Sequence, residues 1–158
     1  MMIREKGVCM IWIGRIGIFL LLILFSVEDI RHKAIVKWHF LLALPWCVAD
    51  LIMNTILDSK ISLLERGFGL LVGSIFLLLS HLTRGQLGMG DAYVILILCS
   101  ILGIYQGMEV ITYSFLLSAI IALILVTFFR YPKKRTIPFV PFLFGGFIIS
   151  LFLGGTGV

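Results

Sequence analysis

Asp91 closes the run Leu87-Gly88-Met89-Gly90-Asp91, and the residues after it, Ala92 to Ile104, are apolar except Ser100 and Gly103. A carboxylate at the threshold of hydrocarbon is costly and marks a wet cavity or a reacting site. The preceding glycines let the backbone pass close to another group. A second acid, Asp29, ends the apolar run that starts at Met10. Two carboxylates held close share one proton, because like charges resist being ionised together. The ionised member then activates water, while the protonated one polarises a carbonyl and later protonates the leaving amine. That is the chemistry of peptide-bond hydrolysis, and it requires helices from distant parts of the chain to pack side by side.

Each acid also has a plainer role. Asp91 suits the positive end of a helix as an N-cap, and Asp29 suits an interfacial pair with Arg31 or Lys33. The glycines before Asp91 favour the reactive reading there. Glu28 lies about 100° around a helix from Asp29, which favours a lipid-surface or loop partner and leaves it the fallback member of the pair. Asp50, one turn before Asn54, is expected to make a structural polar contact with it. His32, His39 and His81 share no short ligand spacing, and Cys9, Cys47 and Cys99 form no C-x-x-C pair. Neither a metal nor a cofactor is implied.

The elements that must position these acids are membrane helices. Of 158 residues, 61% are hydrophobic and 13% charged, with mean hydropathy +1.16, which lies outside the range of an ordinary soluble domain. A hydrocarbon core about 30 Å thick takes roughly 20 helical residues per crossing. The expectation is an all-α polytopic membrane protein of about six transmembrane helices, forming one unit over residues 1–158. The patterning places helices near 10–29, 38–57, 64–83, 91–105, 108–129 and 137–153. Pro45 falls inside the second, and Gly67, Gly69, Gly73, Ser74 and Ser80 suit close packing of the third. The fourth is short for a crossing, so Asp91 is expected a few ångströms below the surface. Pro138 and Pro141 open the last helix, and Gly145-Gly146 marks either a close crossing or a flexible point.

The net charge of +5 does not point to nucleic acid, since the basic residues fall between apolar segments and act as topology signals. Eight of the thirteen lie in the loops after helices one, three and five: Arg31, Lys33, Lys37, Arg84, Arg130, Lys133, Lys134 and Arg135. Those loops are expected in the cytoplasm, with both termini outside and both aspartates at the cytoplasmic ends of their helices. Arg15 is expected to snorkel toward headgroups at the other face.

Gly88-Met89-Gly90-Asp91 resembles the G-x-G-D motif of aspartic intramembrane proteases. Ser26, Asp29, Arg31 and Ile35 resemble the S-x-x-D-x-R-x-x-x-I pattern of their prepilin peptidase branch, the leader peptidases of type IV pilins. Ile137-Pro138-Phe139-Val140-Pro141-Phe142-Leu143 is similar to that family's proline-punctuated entry to the last helix. Three separated matches in the right order are more specific than one short motif. The resemblance implies that Asp29 and Asp91 are the catalytic pair, that Gly88 and Gly90 let the second approach the first, and that Arg31, Pro138 and Pro141 support them. It implies a pilin-like precursor as partner, cut after a glycine that ends a short basic leader, at the cytoplasmic face. The chain departs from the family at Val36-Lys37, where Pro-Asn is common, and at Tyr93, where Lys is common. It has no cysteine-rich methylation domain, so cleavage without methylation is expected. Proteases related to presenilin carry Tyr-Asp where this chain has Glu28-Asp29. The reading from a different class is a small proton- or cation-coupled transporter or assembly subunit.

Overall fold

The computed structural model describes residues 2–32, 37–56, 62–83, 88–129 and 138–153. These form five helices: α1 (Met2–His32), α2 (Lys37–Ile56), α3 (Leu63–Leu82), α4 (Met89–Phe129) and α5 (Val140–Leu153). Among the described residues there is no strand, and the all-helical expectation holds. Lys33, Ile35, Val36, Asp58, Lys60, Arg84, Leu87, Arg130, Lys133, Lys134, Arg135 and Ile137, which entered the topology and motif readings, lie outside the described residues.

One buried stripe explains how α1 is seated. Ile18, Leu22, Phe25 and Asp29 recur at helical spacing, and all four are buried. The first arm of α4 repeats the arrangement with Val94, Ile95, Leu98 and Leu102, and α5 adds Val140, Leu143 and Phe147. Both aspartates therefore sit at one end of an apolar stripe that faces the same core. The outside is equally apolar: Leu64, Phe128 and Phe152 are 74%, 79% and 83% exposed. A molecule apolar inside and out matches a hydrocarbon solvent. Two helices, Leu63–Leu82 and Met89–Phe128, are long and apolar enough to cross a membrane.

Small residues set the close crossings. A Cβ on Gly69 would strike the Cys99 carbonyl, and one on Gly73 would lie 2.6 Å from the Leu96 Cα, so α3 packs backbone to backbone on α4. Gly146 makes the close crossing on α5, where a Cβ would meet Ser114 and lie 2.7 Å from the Val110 carbonyl oxygen. Gly67, in contrast, has open space beside it.

The separate fourth and fifth helices of the sequence reading are the two arms of α4, which turns back on itself between them. The turn falls at Gly103 (φ 77°, ψ 176°) rather than at Gln106-Gly107. A Cβ on Gly107 would lie 3.3 Å from the Cys99 Cα, whereas residues eight apart in a continuous helix are separated by about 12 Å. The five helices thus comprise six helical arms. Only glycine is at ease at this φ and ψ, so Gly103→Ala is expected to cost about 1–3 kcal/mol, read as a lower thermal midpoint in detergent. An unchanged midpoint would show that the turn is not rigidly held.

Other boundaries moved too, and α1 begins at Met2 where the sequence reading started it near Met10. Helix α1 continues through Ile30, Arg31 and His32, which the sequence reading placed in a loop, and α5 starts at Val140 with Pro138 just before it. Asp50 also reaches beyond its own helix: its Oδ2 pairs with Arg66 Nη1 at 2.7 Å, an ion pair across α2 and α3 whose side chains are 8% and 5% exposed. The Asn54 side chain lies outside the described ones. Arg15 donates to Gln106 Oε1 at 3.4 Å, which ties α1 to the second arm of α4.

Candidate active site

The entry to α5 explains where Asp29 finds its partners. The first amides of a helix have no acceptor within it. Here the Phe142 and Leu143 amides both turn to the Phe139 carbonyl, at 2.9 and 3.2 Å. Pro141 has no N–H to satisfy and is tolerated in a first turn. What remains is the Phe139-Val140 pair, framed by half-buried Pro138 and Pro141. Asp29 Oδ2 accepts the Val140 N–H at 3.2 Å, and the Phe139 amide acts on the same carboxylate. An anion at a helix N-terminus is well placed. Asp29, 7% exposed, therefore joins α1 to α5.

Asp91 is the third residue of α4, in the turn the glycines open. The Ala92 amide donates to the Gly88 carbonyl at 3.2 Å, and a Cβ on Gly88 would lie 2.7 Å from Asp91 Oδ2. The missing side chain at Gly88 is thus space that the Asp91 carboxylate uses. Gly90 is half-buried in the same first turn. The Asp29 charge, from α1, acts on Asp91, in α4, by Coulomb repulsion. We expect Gly88→Ala to displace the Asp91 carboxylate and lower the rate of any reaction that needs both acids by about tenfold, or 1.4 kcal/mol. A melting midpoint equal to the wild type would separate this from misfolding.

The other sequence-based candidates fall into place around the pair. Arg31 is exposed, two residues beyond Asp29 and off the buried stripe. Glu28 is half-buried rather than spread on lipid, with Oε2 covered. Tyr93 is 40% exposed. Ser26, one turn before Asp29, is buried. Sequence reasoning missed the α5 amides as partners of Asp29, although Pro138 and Pro141 bracketing two residues with free N–H groups were the signal. It also missed Arg66 as a partner of Asp50.

Comparison with curated proteins gives no match, and comparison with solved structures gives none. The model of the type IV leader peptidase family matches residues 16–155, a span that takes in both acids and the entry to α5, and the chain belongs to that family.

Proposed function

We propose that this protein is a membrane aspartic endopeptidase that removes the leader from type IV pilin-like precursors. The observation that supports the reading is the seating of Asp29 on the Val140 amide at the start of α5, from where its charge acts on Asp91. Asp29, bonded to amide donors at a helix N-terminus, holds the negative charge and takes a proton from water. Asp91 carries the shared proton, polarises the scissile carbonyl and then protonates the departing amine. Coupling between two such groups means that activity follows the pair rather than either acid alone. Gly88 and Gly90 give Asp91 its approach, and Pro138 and Pro141 stiffen the α5 entry that seats Asp29. Arg31, exposed two residues beyond Asp29, orients that carboxylate or a lipid phosphate.

Family membership supports a pilin-like substrate, with a short basic leader ending in glycine and followed by an apolar helix. The excess of basic residues in the loops after helices one, three and five supports a cytoplasmic site with both termini outside. The test is a model precursor of that design, incubated with the purified protein in detergent or lipid and read by mass spectrometry. A single cut after the glycine is expected. A folded protein that leaves the precursor whole, and that instead moves protons or cations when reconstituted, would favour the transporter reading.

A further inference from the structure

We infer that Ser26 holds the backbone of the bound precursor beside Asp29. This rests on the peptidase reading above and adds a residue to it.

Most of the described helical hydroxyls rest on their own helix, and buried Ser150 instead donates to Glu109 Oε2 at 3.2 Å. Those of Ser74, Thr112 and Ser114 donate to the carbonyl four residues earlier at 2.6–2.8 Å, and those of Ser100 and Ser118 to the carbonyl three residues earlier at 2.8 and 3.0 Å. Such a bond costs no partner and is always within reach on a helix. Ser26 does not make it. Its Oγ is buried and has no hydrogen-bond partner among the described residues, although the whole residue is only 7% exposed. A buried polar atom without a partner lowers stability, so its retention calls for another explanation.

Its position supplies one. Ser26 stands three residues before Asp29 on the buried stripe of Leu22 and Phe25, and residues three apart are neighbours on one helix face. The Oγ therefore lies one turn from the Asp29 carboxylate, on the side that faces the core. A peptide cleaved there must lie extended, with its own N–H and C=O groups stripped of water. It needs donors and acceptors from the enzyme at that depth. A hydroxyl offers both, and one not already committed to its own helix gives up no bond when it accepts the substrate. Ser26 thus belongs to the substrate-holding surface, while the dyad carries the proton transfers.

The inference makes stability and activity move in opposite directions. Ser26→Ala removes an atom that has no bond in the free protein, so the melting midpoint in detergent should stay level or rise. Its kcat/KM on the model precursor should fall about tenfold, chiefly through KM. Ser26→Cys, of similar size but a weaker donor, should fall between the two. An uncleavable precursor analogue should raise the wild-type midpoint more than that of Ser26→Ala. A midpoint that falls together with activity would make Ser26 a structural residue, and unchanged kinetics would remove it from the site. Absence of cleavage by the wild type would instead sink the peptidase reading, leaving the midpoint comparison with the analogue as the independent check on Ser26.

Discussion

Asp29→Asn and Asp91→Asn should each reduce cleavage at least about a thousandfold while the protein remains folded, because an amide can neither take a proton from water nor return one to the leaving amine. General acid–base transfer contributes on the order of 10² to 10⁴ in rate, and losing either partner of a shared proton forfeits both halves of the cycle. Asn is the informative substitution at position 29. Its carbonyl oxygen can still accept the Val140 N–H that Asp29 accepts at 3.2 Å, so the junction of α1 and α5 survives. Alanine there would strand that amide and add a stability loss of about 1–3 kcal/mol, confounding the assay. Among the described residues Asp91 has no such bond to α5, so Asp91→Ala should melt closer to the wild type than Asp29→Ala. Mass spectrometry of the products and thermal melts of all four variants give the result. Cleavage by either Asn variant at a tenth of the wild-type rate or more would refute the dyad.

The second large effect lies in the ion pair between α2 and α3. Arg66→Met leaves Asp50, 8% exposed, without its arginine, and separating a buried pair in this way costs about 3–5 kcal/mol. The double variant Asp50→Leu with Arg66→Met should recover most of that loss, since replacing both charges with apolar groups removes the desolvation cost together with the attraction. The fit around Asp50 bounds the choice of side chain: a Cβ on Gly14 would lie 2.9 Å from Asp50 Oδ1, so a replacement bulkier than leucine, which branches at the same carbon as aspartate, meets α1. Denaturant titration in mixed micelles would measure the three variants as a cycle. A double variant no better than Arg66→Met alone would mean that Asp50 has a role beyond this pair. Full cleavage by Asp50→Asn would exclude Asp50 from any water path to the dyad.

Much of this arrangement was legible in the chain, and the reason is periodicity. Ile18, Leu22, Phe25 and Asp29 repeat at helical spacing, so a helix that buries its apolar face also buries the acid at its end. The glycines at 69 and 73 announced a close crossing in the same way. What the chain concealed were pairings across space. Asp50 has Asn54 one turn away, but its partner Arg66 comes from the next helix, and local spacing carries no record of which helices are neighbours. The position of the reversal, Gly103, was also hidden. Hydropathy continues unbroken through it, and Gln106-Gly107 supplied a more polar, more conventional place to stop. A single glycine in an extended, positive-φ conformation is a backbone event that composition does not reveal.

The first arm of α4, residues 89–102, has a consequence for the lipid around it. At 1.5 Å per residue it spans roughly 21 Å, about 9 Å less than a typical hydrocarbon core. A helix this short creates negative hydrophobic mismatch, and the bilayer adapts by thinning locally at a cost of fractions of a kcal/mol per ångström. The dimple forms at the end where Asp91 stands. Membrane thickness therefore becomes a variable of the reaction: in longer-chain lipids the dimple deepens at rising elastic cost, and turnover should decline with acyl length even though no side chain has changed.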